Sequence, residues 1–428
     1  MTHSNRRLVL NVNVLDVGIS PGAWTLGVAP NAFLDASHFV RIAQAAERGT
    51  LDGFFLADSP GFWENPKVKP TRALEPTAVL ATVAAHTTNL GLIGTASTTF
   101  NEPYELAERF LSLDVASGGR VAWNVVTTYS PVVGANFGLQ ALPDREERYA
   151  RAAEFVDVVT ELWESALTGV PVNHRGPRFE VSGRLAVAPS AQGYPALIQA
   201  GGSPAGRELA GRRAHGVFTA ELTLAAGIEH YRYVKDAAAR AGRDPDQVKI
   251  LPGLITVIGS TEREAIERHE SLRAHVPADF GAERLSGTLG VDVTTLDWDE
   301  PIPAHVLAVP EDLDAYQGSL GFRESVVGLA QEGNLSIRQL LRSLNGSGGH
   351  RAIIGTPEQV ADTIEEWFLA GAADGFNLMP DALPTGLDEF VDHVVPILRR
   401  RGLFRHEYSE KTLRGRFGAT LPALHAVG

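Results

Sequence analysis

The 428-residue sequence contains no cysteine and no long uninterrupted apolar run. The lack of cysteine excludes disulfides, thiolate metal sites, iron–sulfur clusters and cysteine nucleophiles. The lack of an apolar run long enough to cross a bilayer excludes a membrane-spanning helix. The N-terminal segment MTHSNRRLVLNVNV has only a short alternating apolar stretch, unlike a signal peptide. We therefore expect a cytoplasmic protein without a membrane partner.

Basic residues are also scarce relative to acidic ones, with 38 Lys and Arg against 51 Asp and Glu and a formal net charge of -13. A nucleic-acid backbone requires a basic surface, so this balance argues against a nucleic-acid partner. Metal sites find little support, because there is no H-E-x-x-H motif and no spaced Asp/His cluster. The acidic run at 292–300 lacks the spacing of an EF-hand loop. We expect no metal site.

Short apolar strand candidates alternate with amphipathic helix candidates along most of the chain, which predicts a parallel sheet. The length suits a (β/α)₈ TIM barrel with insertions. The rival is a doubly wound open sheet, but the first strand leads into residues 16–22, DVGISPG, which lack the G-x-G-x-x-G spacing. The eight strands are predicted at 9–17, 53–58, 90–95, 121–126, 196–200, 216–220, 249–258 and 376–379.

Two stretches depart from this alternation. Residues 169–194 have the pattern of a short antiparallel excursion closed by prolines. In residues 274–349 the periodicity fades, with some helix predicted near 311–316, 325–332 and 336–343. A loop that long is uncommon unless it forms a lid or an interface. We expect one barrel domain over 1–428, with the second stretch acting as a lid or an oligomer contact that proteases cut first.

The clearest local chemistry lies at residues 201–207, GGSPAGR, where a strand ends in two glycines before a helix. Gly202 would allow close approach of a ligand, and the helix N-terminus would present free N–H groups to an anion. The Ser203 hydroxyl would add one more donor. The same residues would also suit a well-capped helix after a tight turn, so both interpretations stay open.

Polar side chains end three of the predicted strands, where a barrel presents its site at the C-terminal rim. They are Asp58, Thr95, Ser97 and Asn124. Asn124 would cost free energy if it were buried without a partner, so we expect it to have one. Asp58 would equally suit a turn cap, and threonine is common in strands for reasons of packing.

Five long blocks of the chain resemble the flavin-dependent monooxygenases of the bacterial-luciferase-like superfamily. The most similar branch is that of nitrilotriacetate, EDTA and dibenzothiophene-sulfone monooxygenases. The blocks occur in the family's order, which is more specific than one short motif. They are 45–59, 117–138 (SGGRVAWNVVTTYSPVVGANFG), 199–220, 355–380 and 399–418.

This resemblance implies a (β/α)₈ barrel that takes reduced FMN (FMNH₂) from a separate NAD(P)H:flavin reductase and uses O₂ to oxygenate, and in some members cleave, a small organic substrate. It implies that the Ser203 segment holds the FMN phosphate and that Asp58 accepts from a flavin ring N–H. A homodimer or homotetramer is also implied. Because the anion turn comes without a nicotinamide fingerprint, we expect no reductase site in the chain itself.

The chain departs from the family pattern at two positions. Tyr149 is matched, but Arg145 stands where the relatives usually carry histidine; arginine could still bind a phosphate bidentately, or could be a solvated charge. For Tyr149, core packing is the alternative. The loop at 19–24 lacks the family's histidine, which indicates a different natural substrate.

Two other functions stay open. One is oxidative cleavage of a heterocycle or a flavin such as riboflavin, and the other is a non-catalytic flavin or F420 binding protein. We assign no catalytic residue, and none of the scattered histidines His215, His350 and His393 receives a role.

Overall fold

The computed structural model describes residues 6–26, 31–58, 60–61, 74–128, 130–275, 280–310, 316, 318–344 and 349–420. Eleven strands occur in these residues: β1 Val9–Val14, β2 Gly53–Leu56, β3 Gly91–Ser97, β4 Val121–Val126, β5 Val172–Arg175, β6 Glu180–Gly183, β7 Ala196–Ala200, β8 Gly216–Thr219, β9 Lys249–Ile258, β10 Arg351–Gly355 and β11 Gly375–Pro380.

The helices of the described residues lie mostly between these strands: α1 Ala36–Arg48, α2 Pro76–His86, α3 Pro103–Ser117, α4 Pro131–Asn136, α5 Arg145–Thr168, α6 Pro204–Arg213, α7 Leu224–Arg240, α8 Glu262–Arg273, α9 Phe280–Leu289, α10 Ala304–Leu307, α11 Leu320–Glu332, α12 Ile337–Leu344, α13 Pro357–Leu369, α14 Thr385–Glu389, α15 Val395–Arg400 and α16 Leu413–Arg416. A π-helical turn, Phe390–Val394, joins α14 to α15, and short 3₁₀ turns occupy Ala23–Thr25, Ala32–Leu34, Pro245–Gln247 and Val293–Thr295.

Eight parallel strands close into a barrel in the order β1, β2, β3, β4, β7, β8, β9 and β11, and β11 pairs back with β1. They are the eight strands predicted from the sequence, so the (β/α)₈ prediction is confirmed and the doubly wound sheet is wrong. The barrel was predictable because apolar strands alternate with amphipathic helices along the sequence. Several ends differ from the predicted bounds by one to three residues: the largest differences are that β1 ends three residues early, at Val14, β2 ends two residues early, at Leu56, and β3 runs two residues further, to Ser97.

The strand β10 was not predicted. It pairs with the C-terminal half of β9, from Leu254 to Ile258, whereas β8 pairs with the N-terminal half, from Lys249 to Pro252. Leu254 is also paired with β11, so β10 and β8 share the opposite edge of β9. A ten-residue strand is long enough to accept two short neighbours on one edge. No local feature of the sequence RAIIG predicts this pairing.

The N-terminal end of the barrel is plugged by the C-terminal part of the chain. Leu413 and Phe417 are fully buried against residues that point into the barrel, among them Val9 of β1, Phe55 of β2 and Ile93 of β3. The backbone N–H of Leu413 donates to the carbonyl of Gly119, just before β4. The closed end leaves the opposite rim as the place for a ligand.

The two departures from the alternation have defined structures. Residues 169–194 contain the antiparallel pair of β5 and β6, in which Val172 faces Gly183. Residues 274–349 contain α9 to α12, whose apolar side chains form a separate buried cluster that includes Leu285, Val306 and Leu340. The helices predicted at 325–332 and 336–343 correspond to α11 and α12. The helix at 280–289 was missed, and the one predicted at 311–316 lies, apart from Tyr316, outside the described residues.

Across the described ranges, no helix is both long enough and apolar enough to cross a membrane.

Candidate functional site

A cleft of about 650 Å³ opens at the C-terminal rim of the barrel, between the strand ends and α11. Five of the eight residues predicted for the site line it, and they come from the segment after β2, from α5 and from the turn before α6: Asp58, Arg145, Tyr149, Gly202 and Ser203. Thr95, Ser97 and Asn124 do not line the cleft; they are buried in the neighbouring strand ends. The parallel register places all these strand ends at the same rim.

Ser203 is the N-cap of α6 and links this helix to α5. Its Oγ accepts from the N–H of Gly206 at 3.3 Å and donates to the phenol oxygen of Tyr149 at 3.0 Å. The side chain of Ser203 is buried beside the cleft. One hydroxyl therefore caps α6 and contacts Tyr149. Because Ser203 and Tyr149 are 54 residues apart, local sequence patterns do not predict this contact.

Arg145, at the start of α5, reaches across the cleft to the insertion. One guanidinium nitrogen donates to the carbonyls of Tyr316 and Gly318, both at 3.4 Å. The other terminal nitrogen is buried and has no hydrogen-bond partner among the described residues. Arg145 is thus held in place by long hydrogen bonds and still has donor capacity for a ligand.

The strand-end polar residues bond to one another across β3 and β4. Asn124 Nδ2 donates to Thr95 Oγ1 at 2.9 Å, which is the partner expected for a buried amide. Its Oδ1 is buried with no partner in the described residues. The hydroxyl of Thr128 donates to Ser97 Oγ at 2.7 Å, and Thr128 has a φ of 49°. The loop after β4 is therefore anchored on β3, in a conformation that is uncommon for a β-branched residue.

Sequence reasoning missed several cleft residues. Glu221 follows β8 and lies 2.8 Å from Nδ1 of His230 on α7. Arg207 on α6 pairs with Glu324 on α11 at 3.5 Å. Of these, only Glu221 carried a usable signal in the sequence, namely a carboxylate directly after a barrel strand, as with Asp58.

His350, which received no role, forms part of the cleft wall. Its ring stacks on Phe218 with a centroid distance of 5.3 Å and an interplanar angle of 1°. Complete burial lowers the pKa of His350 to about 3, because burial disfavours the charged imidazole. The ring is therefore neutral at ordinary pH. Its faces are available for apolar stacking, and its nitrogen atoms lie on its edge.

No group of three or more His, Asp or Glu side chains in the described residues is arranged to hold a metal ion.

The comparisons with known proteins agree with this geometry. Residues 19–374 match the model of the luciferase-like monooxygenase family. The chain belongs to the luciferase-like monooxygenases. This monooxygenase is 40% identical to nitrilotriacetate monooxygenase component A of Aminobacter aminovorans, over 98% of both chains. It is a flavin-dependent, oxygenating enzyme, so the alternative of a non-catalytic binding protein is set aside.

Two solved structures extend the comparison. EDTA monooxygenase from Chelativorans sp. BNC1 superimposes on the monooxygenase with a TM-score of 0.81 at 36% identity, covering 97% of this chain and 99% of the other. A riboflavin lyase, solved with modified FMN and the substrate riboflavin, gives a TM-score of 0.82 at 28% identity, covering 97% of each chain. Both similarities span the barrel and the insertion together.

Proposed function

We propose that the chain is the oxygenase component of a two-component system that binds FMN, reduced by a separate NAD(P)H:flavin reductase, and oxygenates a small organic substrate with O₂. The observation that carries the FMN assignment is the turn at Gly202 and Ser203. Here a helix N-terminus, a buried hydroxyl and an arginine with a free donor meet at one side of the cleft.

The residues present fit a phosphate group. The N-terminus of α6 offers backbone N–H groups and a partial positive charge. Gly201 has no room for a side chain, because a Cβ there would meet the amide of Gln199 at 2.7 Å and the phenol oxygen of Tyr149 at 3.4 Å. Arg145 has an unused buried nitrogen, as does Arg207 at its Nε. A phosphate would satisfy donors that are otherwise buried without a partner.

The strand ends would hold the ring system. Asp58 lies at the cleft, and the unpartnered oxygen of Asn124 lies just beneath the rim. Carboxylate and amide oxygens accept from ring N–H groups, which fits the edge of a flavin. When bound, the reduced flavin supplies the activation of O₂, while the protein orients the partners and excludes water.

The test is Ser203→Ala, with FMN and riboflavin affinities measured by fluorescence titration. Loss of one hydrogen bond to a charged group costs about 1.5–3 kcal/mol, so FMN affinity should fall about tenfold or more. Riboflavin lacks the phosphate and should bind almost unchanged. Equal losses for both flavins, or no loss for either, would mean that Ser203 is only a helix cap.

Thr261→Ala is the matched control, because Thr261 caps α8 in the same way, accepting from the N–H of Glu264 at 3.2 Å. It should lower stability by about 1 kcal/mol and leave FMN affinity unchanged.

The need for a separate reductase is tested in its own experiment. The protein alone should not reduce FMN with NADH, and adding a flavin reductase should give O₂-dependent consumption of a substrate from a panel. Riboflavin belongs in that panel, since its oxidative cleavage is the second candidate reaction.

A further inference from the structure

One wall of the cleft is not used by the FMN proposal. It consists of Glu221, Glu229, His230 and Glu324, which we call the acidic wall. Glu221 and His230 are buried, with 7% and 1% of their surfaces exposed, and Glu229 is exposed. Burial raises the pKa of Glu324, Glu221 and Glu229 raise it further, and Arg207 and His230 oppose them. Glu221 and Glu229 therefore lie close enough to Glu324 to act on its carboxyl group.

The wall contains buried polar atoms without partners. Neither ring nitrogen of His230 has a hydrogen-bond partner in the described part of the chain, although Nδ1 lies 2.8 Å from a carboxylate oxygen of Glu221. Thr219 Oγ1, at the end of β8, is likewise buried and unpartnered beside the cleft. Buried polar atoms are rarely left unpaired unless a ligand or water completes them.

Glu324 of the acidic wall lies close to the proposed phosphate site, where α6 packs against α11. At the N-terminal ends of these helices, Gly202 and Gly321 pack so closely that a Cβ on either would lie 3.0 Å from the other's Cα. One turn further on, Arg207 and Glu324 pair across the same two helices. The phosphate site at Ser203 and the acidic wall are thus neighbouring parts of one cleft with opposite charge.

We propose that the acidic wall binds the substrate, and that the substrate carries a protonated amine or a comparable N–H donor group. This inference rests on the proposed function. An ammonium group offers three donors to carboxylate and hydroxyl acceptors, and hydrogen bonds between charged groups are the stronger kind. A carboxylate at the same place would face repulsion from Glu221 and Glu324 in a partly dry site. The wall therefore selects for cationic over anionic substrates.

Three probes of similar shape test the charge selection: benzylamine, benzyl alcohol and benzoate. Calorimetry should show that the FMN-loaded protein binds benzylamine at least tenfold more tightly than benzyl alcohol, and benzoate most weakly. Glu221→Gln keeps the shape but removes the charge. It should weaken benzylamine about tenfold and change benzyl alcohol less than twofold. Glu324→Gln, on the other side of the wall, should have the same sign and serves if Glu221→Gln does not fold.

Glu267→Gln is the matched control, because Glu267 is an exposed carboxylate on α8 and does not line the cleft. It should leave all three affinities unchanged. No measurable benzylamine binding, equal affinities for the three probes, or a benzylamine affinity indifferent to both wall variants would overturn the proposal. Titrating the probes without FMN separates the two hypotheses, since a failure of FMN to bind would remove the proposed function without removing the preference for the amine.

Discussion

The two ends of the barrel treat buried polar groups in opposite ways. At the N-terminal end, the Arg120 guanidinium donates five hydrogen bonds, to Ser117, Thr87, Leu90 and Ala84, at 2.7 to 3.1 Å. At the C-terminal rim, Asn124, Gln199, Thr219 and His230 each keep a buried atom without a partner in the described residues. The satisfied end stabilises the fold, and the unsatisfied end provides binding capacity.

The closed end also contains buried polar atoms without a hydrogen-bond partner, so the contrast between the two ends is not absolute. The terminal nitrogens of Arg416 have no hydrogen-bond partner in the described residues, although its guanidinium lies 5.1 Å from the centre of the Tyr408 ring. What distinguishes the rim is that its unpaired atoms line a cleft or lie just beneath it. Substitutions at the closed end should therefore change stability without changing ligand affinity, whereas substitutions around the cleft should change ligand affinity.

The largest effect is expected at the closed end. Nη2 of Arg414 donates to the carbonyls of Tyr194 and Pro195 at 3.0 and 3.2 Å, and Nη1 lies 2.6 Å from His215 Nε2. Arg414→Met would leave these acceptors buried and unpaired, at about 1–3 kcal/mol each. We expect a loss of about 3 kcal/mol or more in urea unfolding. FMN affinity at low denaturant should stay within twofold.

Arg263→Met provides the control for this variant. Arg263 is 78% exposed and pairs with its neighbour Glu267 on α8, so its loss should cost well under 1 kcal/mol. If Arg414→Met lowered FMN affinity as strongly as it lowered stability, the two ends of the barrel would be coupled and the contrast between them would be lost.

An intermediate effect is expected where the insertion meets the rim. Gly321→Ala places a Cβ 3.0 Å from the Cα of Gly202. Crowding of this kind typically costs about 1–3 kcal/mol, and here it would push α11 away from the turn before α6. FMN affinity should fall, and limited proteolysis should cut residues 274–349 faster.

Gly328→Ala lies on the same helix, and its Cβ would meet nothing within 4 Å. Because alanine favours a helix over glycine by about 1 kcal/mol, this variant should be neutral or slightly stabilising. Equal proteolysis of the two variants, with or without FMN, would contradict the proposal that the insertion is a lid whose contact with the turn matters.

The smallest effect is expected outside both ends, at the hairpin of β5 and β6. Burial lowers the pKa of His174, but hydrogen bonds to Glu161 and Glu154 outweigh it, so the pKa is raised above 6.5. The protonated ring stabilises the folded hairpin. This contribution is complete below the unfolded pKa of 6.5 and disappears as pH rises through the raised pKa.

Hydrogen exchange of the hairpin amides checks this effect. The free energy of opening, calculated from protection after correction for the intrinsic exchange rate, should fall by less than about 1 kcal/mol between about pH 6 and pH 8.5. His174→Gln should remove the dependence on pH while leaving exchange in the barrel strands unchanged. A hairpin whose protection is constant across this range in the unaltered protein would show that the ion pairs add nothing.

Much of the site was predictable because chemistry and position coincide in the sequence. A strand that ends in Gly202 and Ser203 before a proline indicates a helix N-terminus whatever the rest of the chain does. Asp58 was predictable for the same reason, as a carboxylate directly after an apolar strand. Glu221 stood in the equivalent place after β8, but His230 gave no signal, since a single histidine inside a helix has many roles.

Local patterns of the chain by themselves determined the eight barrel strands, the helix caps and the position of the anion turn, because each depends on residues close together in sequence. Only the tertiary structure decided which polar groups meet. It placed Tyr149 on Ser203, Arg145 against the insertion, Glu221 beside His230 and β10 along half of β9. These contacts join residues far apart in the chain, and their geometry follows from barrel closure and helix packing, which no short stretch of sequence specifies.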